Sequence, residues 1–140
     1  MSEIFVRTAV ESDLAEIARL EESARSEESL HRGYWLQAPG VSSSERTVTL
    51  VGGLGVSVLG MVRAKEGDEG RWVVSLVHVE PSGRGVGIGD ALMTSLLHRV
   101  RGLGGRHLAG SAQPGDRALK NLYERNGMVA QTILVGRDLS

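Results

Sequence analysis

Residues 81 to 90 read PSGRGVGIGD, four glycines in seven positions with Arg84 among them, and they separate two runs of different periodicity. Ahead lies WVVSLVHV, residues 72 to 79, a β-branched apolar run that reads as a strand. Behind, Ile88, Leu92, Leu96, Val100 and Leu103 recur at helical spacing until Gly104 and Gly105 stop the pattern. Glycine is costly at a helix start unless something approaches the main chain closely or φ must be positive, so this junction asks for a ligand. Free N–H groups and the helix dipole favour an anion there, and phosphate is the natural guest.

The rest of the chain supplies the frame. IFVRTAV at 4 to 10 predicts a strand, and a helix follows from about Glu11 with Leu14, Ile17, Ala18 and Ala24 near one face. Residues 26 to 45 are the least regular and contain the adjacent Tyr34 and Trp35 before a Pro/Gly/Ser loop. RTVTLV and VSVLGMVRA, separated by GGLG, predict a hairpin, and EGDEG supplies the next turn. After the glycine stretch and its helix come HLAGSAQ as a strand, a helix over about Asp116 to Arg125 ended by Asn126-Gly127, and MVAQTILVGRDL as the last strand. The expected fold is a mixed α/β domain over residues 1–140, with a mostly antiparallel sheet of six or seven strands flanked by about four helices. A length of 140 residues with 41% hydrophobic and 24% charged content fits one domain with one core.

Composition removes several functions. A net charge of −1 and a pI near 6.4 give no footprint for sequence-independent nucleic-acid binding. The absence of cysteine excludes disulfides, thiolate metal sites and a cysteine nucleophile. MSEIFVRTAVESD lacks the basic segment and apolar run of a signal peptide, and no apolar stretch approaches bilayer-spanning length, so the expectation is a cytoplasmic protein. Two phosphate motifs also fail. A dinucleotide-binding reading of Gly85-x-Gly87-x-x-Asp90 lacks the third glycine and follows hairpin strands, and the Gly-Lys-Ser/Thr ending of a Walker A loop is missing.

Arg84-Gly85-Val86-Gly87-Ile88-Gly89 behind Val79-Glu80-Pro81 resembles the pyrophosphate loop of the GNAT N-acetyltransferase superfamily. Asp116-Arg117-Ala118-Leu119-Lys120-Asn121-Leu122-Tyr123-Glu124-Arg125-Asn126-Gly127-Met128 is similar to that family's second signature, and Arg7-Thr8-Ala9-Val10-Glu11-Ser12-Asp13 to its first strand-to-helix passage. The resemblance covers nearly the whole chain. It departs at Asp116, where Asn is frequent, at Leu119, where Ala is, and at Met128, where Phe is. An aspartate cannot donate the hydrogen bond of an amide, and Asn121 offers a side-chain amide from the same helix.

The resemblance implies acetyl-CoA-dependent transfer to a primary amine by direct attack, without a metal. It places the pyrophosphate on Arg84, Gly85, Val86, Gly87, Ile88 and Gly89, and the pantetheine arm beside Val77, His78 and Val79. Tyr123 stands where family tyrosines protonate the departing thiolate; the alternative is a core tyrosine bonded to main chain. The base is open among His78, whose ring titrates near neutrality, Glu80, and water alone. Acceptor specificity falls to residues 26 to 45 and the hairpin near 52 to 57, with Glu27, Glu28, His31, Tyr34 and Trp35 as candidates. A homodimer is expected from family habit only. Two rival readings are a CoA-binding regulatory domain without turnover, and an enzyme acting on a protein N-terminus or aminoacyl-tRNA.

Overall fold

The computed structural model describes residues 3–28, 46–133 and 135–140. Strand β1 (Ile4–Thr8) leads through one 3-10 turn, Glu11–Asp13, into helix α1 (Leu14–Glu28). Strands β2 (Thr47–Leu54), β3 (Ser57–Glu66) and β4 (Arg71–Val79) follow in succession. Helix α2 (Ile88–Gly102), strand β5 (His107–Ala109) and helix α3 (Arg117–Arg125) complete the order. The sheet runs β1-β2-β3-β4-β5, antiparallel from β1 to β4 and parallel between β4 and β5.

The start of α1 decides which of its faces is buried. Arg7 donates to both carboxylate oxygens of Asp13 at 2.7 and 3.0 Å, and Asp13 accepts the Val10 main-chain N–H at 2.8 Å. That carboxylate holds Asp13 inward, so Ile17 and Leu20, four and seven residues on, follow it into the interior. Leu14, expected on the buried face, is rotated to solvent at 62% exposure, and Ala18 is exposed with it.

The sheet has two apolar sides. Helices α2 and α3 cover one through Leu92, Met93, Leu96, Val100, Leu122 and Tyr123 against Val48, Leu50, Val62, Ala64, Trp72 and Val74. Helix α1 covers the other, where Ile17 and Leu20 pack on Val51, Val58 and Met61. Gly52 and Gly60 are paired across β2 and β3, and a Cβ on either would lie 3.1 or 3.2 Å from Leu92. Their bareness lets α2 approach the sheet closely.

A bulge in β4 has the largest consequence for the site. Ala64 pairs with Val74 but Arg63 pairs with Leu76, leaving Ser75 as an extra residue. Trp72 and Val74 face α2; beyond the bulge Val77 and Val79 take that side, while Leu76 packs on the α1 side. Simple alternation would place His78 with Trp72 and Val74. The bulge instead turns it toward α1, opposite Met61.

The described residues carry five strands and three α-helices, fewer than the six or seven strands and about four helices expected. HLAGSAQ pairs over three residues only, because β5 matches β4 at Arg71, Trp72 and Val73, ahead of the bulge. The tail expected as a final strand has no ladder partner in its described part, and Val129, Ile133, Val135 and Leu139 are exposed. An alternating apolar pattern forms a strand only where a neighbouring edge accepts it. Residues 29–45, with His31, Tyr34 and Trp35, lie outside the described residues. No described helix is long and apolar enough to cross a membrane.

Candidate active site

Beyond the Val73 and Ala109 pair, β4 has no registered partner on its β5 side among the described residues, although on its other side pairing with β3 continues to Gly60 and Val79. Among the described residues no strand therefore covers that edge of β4 along Val77, His78 and Val79, directly before the glycine loop, where Arg84 Nε donates to the Val79 carbonyl. Unpaired strand groups of this kind are ready to bind an extended ligand.

The loop enters through one 3-10 turn, Pro81–Gly83, and delivers Gly85 and Gly87 with φ of 82° and 97°. Both lie in the left-handed region that favours glycine. Gly87 caps α2, and the first bond of the helix runs from Ala91 N–H to the Gly87 carbonyl at 3.0 Å. The amides of Ile88, Gly89 and Asp90 precede that bond and have no main-chain acceptor among the described residues. A Cβ on Gly85 would meet nothing within 4 Å, so the surface above the loop is open. Ile88 is buried and Gly89 packs on Leu122, so these two offer backbone, while Val86 is half-exposed. Asp90 would oppose an anion at this helix end, but Arg125 pairs with it at 3.2 and 3.3 Å and Asn126 donates to it at 3.2 Å.

Arg84 reaches back over the strand. Its Nε donates to the Val79 carbonyl at 2.9 Å, and its Nη2 lies 2.6 Å from each carboxylate oxygen of Glu27 on α1. Glu80 is similarly engaged, accepting from Arg19 at 2.5 Å and Ser82 at 2.8 Å. Burial works to raise the Glu80 carboxyl, and those hydrogen bonds outweigh it, holding the group below the usual carboxylate range.

His78 is buried under α1, with Nε2 2.8 Å from Ser23 Oγ. Burial is the largest influence on its ring and pushes the pKa below the ordinary histidine value. Glu27 opposes that shift, Arg84 adds to it, and Glu80 and Asp116 oppose it more weakly. The imidazole is neutral at neutral pH.

Tyr123 lies on the other face of the sheet, buried in the cluster that α2 and α3 form. Its hydroxyl donates to the Ser111 carbonyl at 3.4 Å, a long bond. A Cβ on Gly110 would sit 2.5 Å from the ring and 2.6 Å from the hydroxyl, so a glycine just past β5 makes room for the phenol. Burial, then the Asp116 carboxylate, push the Tyr123 pKa well above the usual phenol value. Asp116 caps α3 by accepting Leu119 N–H at 3.1 Å, the role it fills where the resemblance has an amide. Asn121 is exposed, and two residues from Tyr123 it leaves the helix on a different side.

His78 and Tyr123 thus stand on opposite faces of the sheet, and both lie within electrostatic reach of Asp116. Ser23, Arg19 and Gly110 carried no motif and join the site only through tertiary contacts, and the pairing of Asp90 with Arg125 and Asn126 links two motifs that are separate in the sequence. No group of three His, Asp or Glu side chains able to hold a metal ion occurs among the described residues.

The fold agrees with solved structures. The aminoglycoside N-acetyltransferase AAC(6')-Iy, solved in complex with CoA, superposes with a TM-score of 0.72 at 16% identity, covering 100% of this chain and 97% of that one. Ribosomal-protein-alanine N-acetyltransferase from Brucella melitensis biovar Abortus 2308 gives 0.72 at 20% identity, over 97% and 100% of the two chains. A transcriptional regulator from Bacillus halodurans C-125 gives 0.72 at 17% identity, over 98% and 100%. At these identities the likeness establishes the fold and nothing finer. No curated protein sequence matches the chain. The model of the acetyltransferase (GNAT) family matches residues 13–128, from the carboxylate that starts α1 to the methionine after α3, and the chain belongs to that family.

Proposed function

We propose that the protein is an N-acetyltransferase that passes the acetyl group of acetyl-CoA to a primary amine by direct attack, with residues 1–140 as one catalytic domain. The observation that carries this reading is that the glycine-started α2 begins directly after the stretch of β4 that, among the described residues, has no registered strand on its β5 side. The CoA held by AAC(6')-Iy supports the same cosubstrate here.

In this reading the amides of Ile88, Gly89 and Asp90, with Gly85, Val86 and Gly87, receive the pyrophosphate, and Arg84 adds positive charge. The pantetheine arm pairs with main chain along Val77, His78 and Val79. That puts the thioester in the gap beside β4, with α1 on one side and α3 on the other. The amine arrives from the α1 face, where His78 takes its proton directly or through water, and Ser23 fixes the imidazole ring. As the C–N bond forms and the C–S bond breaks, the sulfur takes the Tyr123 proton. The proton gained by His78 returns through solvent to the phenolate. Asn121 has no place in this scheme, because it sits on a different side of α3.

Calorimetric titration of acetyl-CoA tests the site, and release of free CoA with a panel of polyamines, aminoglycosides, amino-acid amides and peptides tests the transfer. We expect micromolar-range binding and amine-dependent release. Gly87→Glu should weaken binding by about 100-fold or more, since a side chain and a negative charge would enter the anion position. Unchanged affinity in a folded Gly87→Glu variant removes the loop from the cofactor site. Binding without release for any amine favours a regulatory CoA-binding domain instead.

A further inference from the structure

Arg84, the charged residue within the glycine run, has its Nε and Nη2 engaged by two groups that acetyl-CoA would have to replace as partners. Its Nε takes the Val79 carbonyl, on the strand edge assigned to the pantetheine arm, and its Nη2 takes both oxygens of Glu27. Glu27 sits on the last turn of α1, four residues beyond Ser23 and on the same helix face. Its carboxylate is also the strongest charge acting on His78. A second tether between α1 and this end of β4 is independent of Arg84: Arg19 donates to Glu80 at 2.5 Å and to the Val58 carbonyl at 3.0 Å. α1 therefore stays docked when the Arg84 contact is lost.

We infer that the Glu27 carboxylate is an internal stand-in for the cofactor pyrophosphate, a latch on Arg84 that acetyl-CoA displaces when it binds. The inference rests on the acetyl-CoA reading above. A carboxylate and a phosphate present the same paired oxygens to a guanidinium, so one can replace the other without rebuilding the donor. Exchange frees the Val79 carbonyl for the arm and leaves Glu27 unpaired beside His78. Cofactor binding thereby uncovers an anionic group at the amine side of the site, and the latch favours binding of cofactor before acceptor. Because the pair is partly exposed, its worth is small, and the latch tunes affinity without closing the site.

Titration of CoA into the parent, Glu27→Gln, Arg84→Gln and the double variant tests the exchange. Glu27→Gln should tighten CoA by about 2- to 5-fold, the effect of removing one competing exposed ion pair. The same substitution in the Arg84→Gln background should change nothing, because the latch has no other half. Glu27→Ala should reproduce both results, and thermal melts confirm that every variant is folded. Equal or weaker CoA binding by Glu27→Gln overturns the latch. So does a gain that persists without Arg84, which would report only the loss of a negative charge near an anionic ligand. If the parent itself binds no CoA, the acetyl-CoA reading falls and the latch falls with it; if the parent binds and Glu27→Gln does not differ, the latch alone falls.

Discussion

Beside the α1 face of β4 three polar groups are tied to other side chains: His78 to Ser23, Arg84 to Glu27, Glu80 to Arg19. On the α3 face one phenol stands in an apolar cluster and donates to a main-chain carbonyl at 3.4 Å. The same cause, removal from water, acts on both. Burial disfavours the charged form of any group, so it lowers the histidine and raises the tyrosine. The neutral histidine is the one that accepts a proton, and the neutral phenol is the one that donates it. In the proposed mechanism, desolvation is the largest influence preparing a base on one side of the sheet and an acid on the other, with Arg84 adding to it at His78 and Asp116 at Tyr123.

That contrast is broken most severely by His78→Gln, which keeps a polar group but loses the proposed base. Single-turnover acetyl transfer should fall by about 100-fold or more, with acetyl-CoA affinity kept within a few-fold. An unchanged single-turnover rate would assign deprotonation of the amine to water. Ser23→Ala should act less. It leaves the ring in place but strips Nε2 of its partner, at a cost of about 1–3 kcal/mol in chemical denaturation and a few-fold in rate.

The smallest effect is a pH dependence of stability. The folded-state pKa of His78 lies below the ordinary value of about 6.5 that the ring recovers on unfolding. Between those two values the unfolded chain binds more protons, so stability is full above about pH 6.5 and falls as pH drops toward the depressed pKa. Denaturation midpoints measured from about pH 7 down to about pH 5 should decline in the parent and decline less in His78→Gln. Parallel curves would mean that His78 is not the buried neutral group described.

Local chemistry made much of the fold legible. The three successive strand patterns, the helix from Ile88 and the helix ending at Asn126-Gly127 are where periodicity and stop signals place them. The glycine loop was legible for the same reason, since positive φ and a bare helix start require glycine whatever surrounds them. What the sequence hid depends on pairing. No residue type marks Ser75 as an extra residue, yet the bulge there decides which face His78 takes. The tail reads as a strand by alternation, but a strand exists only through its neighbour. Ser23 and Gly110 are ordinary residues until tertiary packing sets one against His78 and the other beneath Tyr123.

The central claim, that the two buried neutral groups serve a thioester lying between them, is tested most directly by the single-turnover rate of Tyr123→Phe followed across pH. The substitution removes only the hydroxyl, whose bond to the Ser111 carbonyl is long, so stability should change by about 1 kcal/mol or less. Because burial keeps the phenol protonated beyond its usual range, the loss should be uniform from about pH 6 to about pH 9, by roughly 10- to 1000-fold, with acetyl-CoA affinity within a few-fold of the parent. A Tyr123→Phe variant that matches the parent rate throughout that range would contradict the account. The hydroxyl would then be a packing feature, and the thiolate would leave on a proton from water.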